Sequence, residues 1–304
     1  MSNLREIKKR IASVSSTQEI TRTMEMVSSA KIARALERAE RSQAYTDALA
    51  DMMFTVAADP QAKRSSPLLS DPSAYERALV IAINSDRGLA GGFNIQVERA
   101  AEKRIDHFKR HGAEMVELIA CGRKAVEHFE DYPYLVMSVA GESDDPSLAR
   151  ARSIANYVVD SFSTGKLGRI DIIYYHAVNR VEQELRVERI LPLDPVAMAT
   201  ARGPRRNETD AAKELEQEFE FEPSAKEILE NLAPNYVLSM VYQALIDSAA
   251  AEHAARRKSM HAATENADDI IADLQRTYNR VRQASITTEI TEIVSGANAL
   301  EEDS

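Results

Sequence analysis

The sequence is poor in the residues that make cross-links, tight turns and membrane spans. It contains one cysteine, no tryptophan, ten glycines and ten prolines in 304 residues. A lone cysteine, Cys121, cannot form an internal disulfide, which fits a reducing compartment. No stretch approaches the roughly 18 consecutive apolar residues of a membrane span. The charged N-terminal segment also lacks the apolar core of a secretory signal. We therefore expect no direct membrane insertion.

The charge balance is acidic, with a formal net charge of -10. A general nucleic-acid binder is usually basic, so we expect no nucleic-acid partner. Hydrophobic residues make up 44% and charged residues 28% of the chain, as in ordinary globular proteins. The length is enough for one large or two ordinary domains with a sizeable core.

The N-terminal region, residues 1–58, contains neither proline nor glycine and is rich in helix-forming residues. Its apolar residues step by three and four, which predicts one long helix with a narrow stripe and an offset after the first half. The stripe comprises Ile7, Ile11 and Val14, then Ile20, Met24 and Val27. The first 41 residues carry nine basic and five acidic side chains. That excess suits either a solvated face or a surface opposite acidic partner loops.

The C-terminal region, residues 224–304, also reads as helical. Pro234 is expected in the first turn of a new helix, where proline is tolerated. The apolar stripe is clear near the end and is built of small residues upstream: Ile271, Leu274, Tyr278 and Val281, preceded by Ala244, Ala251, Ala255 and Ala262. Neither terminal helix buries its stripe alone, so we expect the two to pair as a long antiparallel coiled coil.

The middle region, residues 76–195, alternates β-rich runs with helical ones. This pattern predicts an α/β domain with a doubly wound, Rossmann-like parallel sheet flanked by the two terminal helices. The last run follows through a short connection and is expected as an antiparallel edge strand. The predicted strands cover 78–84, 114–120, 134–140, 169–178 and 184–193. The polar segment 196–223 is interpreted as an exposed loop or an irregular edge strand.

The turn SDRGLAGGFN, residues 85–94, follows the first predicted strand, where many α/β proteins hold a phosphate. Its glycines, Gly88, Gly91 and Gly92, match neither the dinucleotide fingerprint nor the P-loop pattern, and no lysine follows. We interpret it as a tight strand-to-helix turn whose glycines take positive φ. The polar stretch from Ser85 to Arg87 is expected to be exposed and to contact a partner.

No catalytic, cofactor or metal site is predicted. His107 and His111 lie four residues apart on a predicted helix, but no third ligand has the spacing of a metal site. A solvated helix face explains them better. Cys121 is expected as a buried structural thiol. No Ser-His-Asp or Cys-His arrangement has a recognisable signature.

Three segments together resemble the γ subunits of F-type ATP synthases. They are TQEITRTMEMVSSAKIARA (17–35), SDRGLAGGFN (85–94) and YNRVRQASITTEITEIVSGANAL (278–300). They occur in the family's order and span almost the whole chain. The resemblance implies a non-catalytic rotary shaft that turns within a hexamer of α and β subunits. It also implies contact with the ε subunit and the membrane c-ring, and a peripheral location on the cytoplasmic face of the bacterial membrane.

The resemblance also implies which residues meet partners. The turn would face acidic loops of the β subunits, with Arg87 as the cation. The residues carried over as partner contacts are Met24, Arg87, Arg256, Gln283, Thr287 and Glu289. More loosely, Phe219 to Glu222 match the region where relatives meet the c-ring and ε.

Two other functions compete with this interpretation. One is a nucleotide-binding enzyme with helical arms, which the missing phosphate fingerprint disfavours and a test of ATP or NAD binding would detect. The other is a passive coiled-coil scaffold, which predicts symmetric self-association instead of one copy among other subunits.

Overall fold

The computed structural model describes residues 2–57, 59, 64, 66–70, 72, 75–194 and 221–302. Its helices are α1 (Ser2–Val56), α2 (Phe93–Arg110), α3 (Arg123–His128), α4 (Leu148–Ser163) and α5 (Ala225–Glu302), with a short 3-10 turn at Pro67–Leu69. Its strands are β1 (Arg77–Ile83), β2 (Met115–Cys121), β3 (Leu135–Val139), β4 (Arg169–Ala177) and β5 (Gln183–Leu191). The chain divides into two compact units, Ser29–Arg256 and a helical unit made of Met1–Ser28 with Arg257–Ser304.

The sheet has the order β3-β2-β1-β4-β5. β1 pairs in parallel with β2 and β4, and β2 pairs in parallel with β3. β5 runs antiparallel to β4 at the edge, because the short connection from Ala177 to Gln183 leaves no room for a crossover helix. The predicted doubly wound sheet with an antiparallel edge strand is confirmed.

Strand β1 is buried on both faces, which explains its unbroken apolar run. Leu79, Ile81 and Ile83 join a core with α4 and parts of both long helices. The alternate residues Ala78 and Val80 join a second core on the other face, packed against α2. Successive side chains of a strand point to opposite faces, so helices must cover both sides of the sheet.

Helix α5 continues through Pro234 without a break. It starts at Ala225 and contains Pro234 in its interior, so the prediction that Pro234 opens the helix is wrong. Proline inside a helix removes one backbone hydrogen bond and costs about 3 kcal/mol. Leu229 and Ala233 are nevertheless almost completely buried in the core. Packing of the first two turns outweighs the local cost.

The two long helices run antiparallel within the larger unit. Thr46 Oγ1 and Ser239 Oγ are 2.5 Å apart, and Gln243 Nε2 donates to the carbonyl oxygen of Ala39 at 3.3 Å. From Ala39 to Thr46 the contacts move toward the C-terminus of α1, whereas on α5 they move toward the N-terminus, from Gln243 to Ser239. The two helices are therefore antiparallel. Small residues at the interface allow this close approach, and Ala244 and Ala251 are buried as predicted.

The helical unit shows the same antiparallel pairing. Thr21 Oγ1 lies 2.8 Å from Thr264 Oγ1, and Gln18 contacts Asp268. His261 Nδ1 lies 3.1 Å from Glu25 Oε1. These contacts add polar pairs to an interface that also buries Ile7, Met260 and Ala267.

The predicted offset in the N-terminal stripe is wrong. Ile20 and Val27 are 57% and 51% exposed, whereas Thr21 and Ser28 are buried. The buried positions keep the three-four step without a break, because small hydroxyl-bearing residues take the places of apolar side chains, and Thr21 pairs with Thr264 across the helices. Ala262, expected in the C-terminal stripe, is likewise exposed.

Within the described part of the chain, no helix is both long and apolar enough to cross a membrane. The predicted loop or edge segment 196–223 falls outside the described residues as far as residue 220. Phe221, which follows, packs against the core of the larger unit.

Candidate functional site: the glycine-rich turn and the ionic cluster beneath it

The turn between β1 and α2 is held from inside by Ser85. This residue is completely buried, so the expectation that it is exposed is wrong. Its backbone N–H donates to Asn94 Oδ1 at 3.1 Å. Its hydroxyl lies 2.5 Å from the carbonyl oxygen of Arg87 and 2.9 Å from Asn94 Oδ1. Ser85 therefore ties the two ends of the turn together.

Asp86 anchors the turn to neighbouring loops. Its carboxylate accepts the backbone N–H groups of Arg123 at 2.9 Å, Gly141 at 2.8 Å and Ser143 at 2.8 Å. Burial by itself would raise the pKa of Asp86, but these three hydrogen bonds outweigh burial and lower it. The ionised carboxylate is a structural anchor rather than a free partner contact.

The turn needs fewer glycines than its sequence suggests. Gly91 has a φ of +60°, but Gly88 and Gly92 do not take positive φ, and Leu89 adopts the left-handed region instead. The strictest requirement lies at Gly122, after β2, with a φ of +87°. A Cβ there would lie 2.2 Å from the carbonyl oxygen of Asn84. Only glycine allows the ends of β1 and β2 to come this close.

Arg256 of α5 supports the turn from below. It is buried, and its guanidinium donates to the carbonyl oxygens of Gly88 at 3.3 Å and Arg87 at 3.4 Å. The same group donates to Glu252 Oε1 at 2.6 Å. Burial raises the pKa of Glu252, and the nearby Arg256 opposes that rise. The two side chains are both buried, so they make this contact in a site with little access to water.

Arg87 points outward from this support. Its side chain is 73% exposed, and its guanidinium lies 3.9 Å from Asp144 Oδ2. Leu89, beside it, is also exposed. The turn therefore presents one cation and one apolar side chain on a base fixed by buried hydrogen bonds.

Helix α5 fills the crevice that would hold a ligand in many doubly wound proteins. The strand order reverses between β1 and β4, and ligands of such folds bind at the carboxyl ends of strands at this point. Here Asp247 of α5 contacts the ring of His176 and accepts the backbone N–H of Ala177 at 3.1 Å. Ala250 and Ala251 pack into the core nearby.

The other predicted contact residues lie in the helical unit. Met24 is half-buried, and Gln283, Thr287 and Glu289 are exposed. Thr287 Oγ1 donates to the carbonyl oxygen of Gln283 at 2.9 Å. The structure thus brings Arg87 close to Arg256, and Gln283 close to Thr287. Their contacts with partner subunits stay predictions.

The remaining sequence candidates have structural explanations. Cys121 is buried as expected, and burial raises the pKa of its thiol to about 12. His107 and His111 lie side by side on α2, with ring centroids 4.0 Å apart and ring planes tilted by 34°. Among the described residues, no three His, Cys, Asp or Glu side chains are grouped to hold a metal ion.

Sequence reasoning missed the acidic residues that complete the site. Glu252 pairs with Arg256, and Asp144 lies between Lys31 and His253. The run ESDDPS around Asp144 is a visible acidic loop, but the basic side chains that face Asp144 are 57 or more residues away in sequence. Only the fold reveals them.

This protein belongs to a class of α/β proteins with two long paired helices. One of those helices fills the crevice at which a doubly wound sheet would otherwise bind a ligand. The chain matches the family described as ATP synthase over residues 3–300. It is 37% identical over 302 residues to the ATP synthase gamma chain of Acinetobacter baylyi, covering 99% of this chain and 100% of that one. It is 35% identical to the gamma chain of Psychrobacter cryohalolentis, covering 99% and 100%. The chain therefore belongs to the ATP synthase gamma-chain family.

Solved structures share the fold. A chain of the Euglena gracilis mitochondrial ATP synthase, from its OSCP/F1/c-ring part, has a TM-score of 0.65 at 17% identity, covering 98% of this chain and 95% of that one. A chain of the Tetrahymena thermophila central stalk and c-ring has a TM-score of 0.60 at 21% identity, covering 80% and 99%.

Proposed function

We propose that this chain is the non-catalytic rotary central-stalk subunit of an F-type ATP synthase. It transmits torque between an ion-driven membrane ring and a catalytic hexamer of α and β subunits, and so couples ion transport to ATP synthesis. Full-length membership of the gamma-chain family is the observation that carries this proposal. The filled crevice at the sheet supports the non-catalytic role, because the position where this fold binds ligands is taken by α5.

The partners follow from the same proposal. They are the α and β subunits, the ε subunit and the membrane c-ring, and the complex lies on the cytoplasmic face of the bacterial membrane. The proposed regions are the two shaft helices at 1–58 and 224–304, the α/β domain at 76–195 and the connecting segment at 196–223. The proposed partner contacts remain Met24, Arg87, Arg256, Gln283, Thr287 and Glu289.

The mechanism rests on unequal contacts with three chemically identical β subunits. A single shaft presents a different face to each of them, so each is held in a different conformation with a different nucleotide affinity. Unequal contact is what allows rotation to shift a conformational equilibrium. Arg87 on its rigid turn suits this role, since an acidic β loop meets its charge at only some rotational angles.

The test is charge reversal at Arg87 in the assembled complex. In sealed vesicles, Arg87→Glu is expected to lower the number of ions pumped per ATP hydrolysed. The loss is partial and depends on salt, because an exposed ion pair contributes only about 0–1 kcal/mol. Arg99→Glu, an exposed position on α2, is the matched control and leaves the ratio unchanged. Normal pumping by Arg87→Glu would contradict the contact.

Native mass spectrometry of complexes released from membranes tests the larger claim. One copy of this chain among α, β and ε subunits supports the stalk role. A symmetric self-assembly without those subunits would instead support a passive scaffold.

A further inference from the structure

A short acidic loop after β3, residues 140–147, contacts the turn and both long helices. It carries Glu142, Asp144 and Asp145 and precedes α4. Its backbone meets the turn directly, because Gly141 and Ser143 donate N–H groups to the carboxylate of Asp86. In return, the backbone N–H of Asp86 donates to Ser143 Oγ at 2.9 Å. The acidic loop and the turn are therefore one hydrogen-bonded structure.

The same loop holds α1. Lys31 Nζ lies 2.7 Å from Asp144 Oδ2. Two turns further along the helix, Arg38 contacts Asp145 and donates to the carbonyl oxygen of Pro146 at 2.7 Å. These two cations fix the acidic loop along α1.

Asp144 also faces α5 and the exposed cation of the turn. Its Oδ1 lies 3.6 Å from His253 Nε2, and its Oδ2 lies 3.9 Å from Arg87 Nη1. One carboxylate thus meets Lys31 on α1, His253 on α5 and Arg87 on the turn. Burial would raise the pKa of Asp144, but the hydrogen bond from Lys31 and the nearby charges lower it, so the group is an anion at neutral pH.

Neutralising this carboxylate would leave like charges unbalanced. Lys31 and Arg87 would keep their charges without the anion they share, and Arg256 lies directly under the turn. Arg87 has a largely exposed side chain, so repulsion would turn it away from its present position. Asp145, next in sequence, has a side chain that is 84% exposed and touches only Arg38 among these cations.

We propose that Asp144 is a positioning residue that holds Arg87 in place over the two long helices, so that the turn moves with them. This inference rests on the proposed function, because it assigns the residue that aligns Arg87 for its contact. It concerns the acidic loop, which the sequence resemblance does not involve.

The test is a double-mutant cycle in the assembled complex. The variants are Asp144→Asn, Arg87→Gln and the two combined, with Asp145→Asn as the matched control. Ions pumped per ATP hydrolysed are measured in sealed vesicles at low and high salt. Asp144→Asn is expected to lower this ratio by about two- to fivefold at low salt, as for an ion pair of this exposure. Asp145→Asn leaves it unchanged.

The cycle separates positioning from simple stabilisation. If Asp144 acts through Arg87, then Asp144→Asn has no further effect once Arg87 is already Gln. Asp144→Glu keeps the charge and restores most of the pumping. An equal loss in both backgrounds would overturn the inference, as would identical behaviour of the Asp144 and Asp145 variants.

The outcomes also separate this inference from the proposed function. If Arg87→Gln lowers pumping while Asp144→Asn does not, the inference is wrong and the contact at Arg87 stands. If Arg87→Gln pumps normally, the contact itself is wrong and the positioning role falls with it. Should Asp144→Asn not assemble, Asp144→Ser takes its place in the same cycle, with the same expected lack of additivity.

Discussion

The guanidinium of Arg256 holds the carbonyl oxygen of Gly88 at a distance of 3.3 Å. This contact joins α5 to a turn 168 residues earlier in the chain. The same guanidinium is bound to Glu252 one helical turn away. Arg256 therefore has a structural role within the chain, whatever partner it meets in an assembled complex.

Removal of Arg256 is expected to destabilise the folded chain strongly. Arg256→Ala leaves Glu252 buried without its cation, and loss of one member of a buried pair costs about 3–5 kcal/mol. Urea unfolding of the purified chain measures the change. Lys258→Ala, an exposed position two residues away, is the control and should change stability by less than about 0.5 kcal/mol. Equal effects of the two substitutions would mean that the pair contributes nothing.

The glycines of the site are expected to differ sharply in their tolerance of alanine. Gly122→Ala places a Cβ against the backbone of Asn84 and imposes a strained positive φ, for a loss of about 3 kcal/mol or more. Gly88→Ala meets no atom within 4 Å at an ordinary φ, so it should be neutral or stabilise by up to about 1 kcal/mol. Thermal unfolding of the two variants decides. Similar melting temperatures would contradict the close approach at Gly122.

Stability should fall as the pH drops from about 6.5 towards 4. Burial lowers the pKa of His253 to about 4, against the attraction of Asp144 and with the help of Lys31, Arg256 and Arg87. The unfolded chain binds a proton at this position before the folded chain does. The contribution of the neutral His253 ring to the free energy of unfolding is therefore fully present above the pKa of the unfolded chain. It is lost as the pH falls toward the pKa of the folded chain, by up to about 3 kcal/mol.

Urea unfolding across this pH range tests the effect. His253→Gln should flatten the slope, because the titrating ring is gone. His261→Gln is the control, since this histidine is 58% exposed and belongs to the helical unit. A slope that survives in His253→Gln would assign the pH dependence to other groups.

The sequence was sufficient to predict the sheet, because β1 and β4 are apolar runs separated by helices of ordinary length. Their burial on both faces follows directly from that pattern. The helix interface was harder, because Thr21 and Ser28 read as solvent-facing residues. The hydroxyl group of Thr21 pairs with Thr264 on the other helix, and a single helix sequence does not reveal its partner. The prediction from apolar residues therefore placed the interface at Ile20 and Val27, one residue before the buried Thr21 and Ser28.

The turn could be found from its sequence, but its support could not. Gly91 and Arg87 indicate a tight, charged loop. Asp144 and Glu252, by contrast, are ordinary acidic residues in their local sequence. The cations around Asp144 come from distant segments. Glu252 pairs with Arg256 four residues away, but that arginine meets the turn only through the fold. Ser85 was also misjudged from the sequence. It lies in a polar run and was expected to be exposed, but it is the buried centre of the turn.

Substitution of Met24 tests whether the helical unit contacts partner subunits in the assembled complex. It lies beside the buried Thr21 and Ser28 yet is only half-buried. A lysine at this position keeps its stem against the neighbouring residues and extends its ammonium into water, so Met24→Lys should cost little stability. In the assembled complex, that ammonium can pair with an acidic β loop and favour some rotational positions over others. ATP hydrolysis is therefore expected to continue while ion pumping fails.

Two controls isolate this effect. Met24→Leu conserves volume, and it should change the free energy of unfolding by less than about 1.5 kcal/mol and pump normally. Met26→Lys adds the same charge to the same helix at a side chain that is already exposed, and it should retain more pumping than Met24→Lys. Unfolding of the purified chain and pumping by the complex are measured side by side. Large destabilisation by Met24→Lys would assign Met24 to helix packing alone, because a packed position cannot accept the charge without losing the fold.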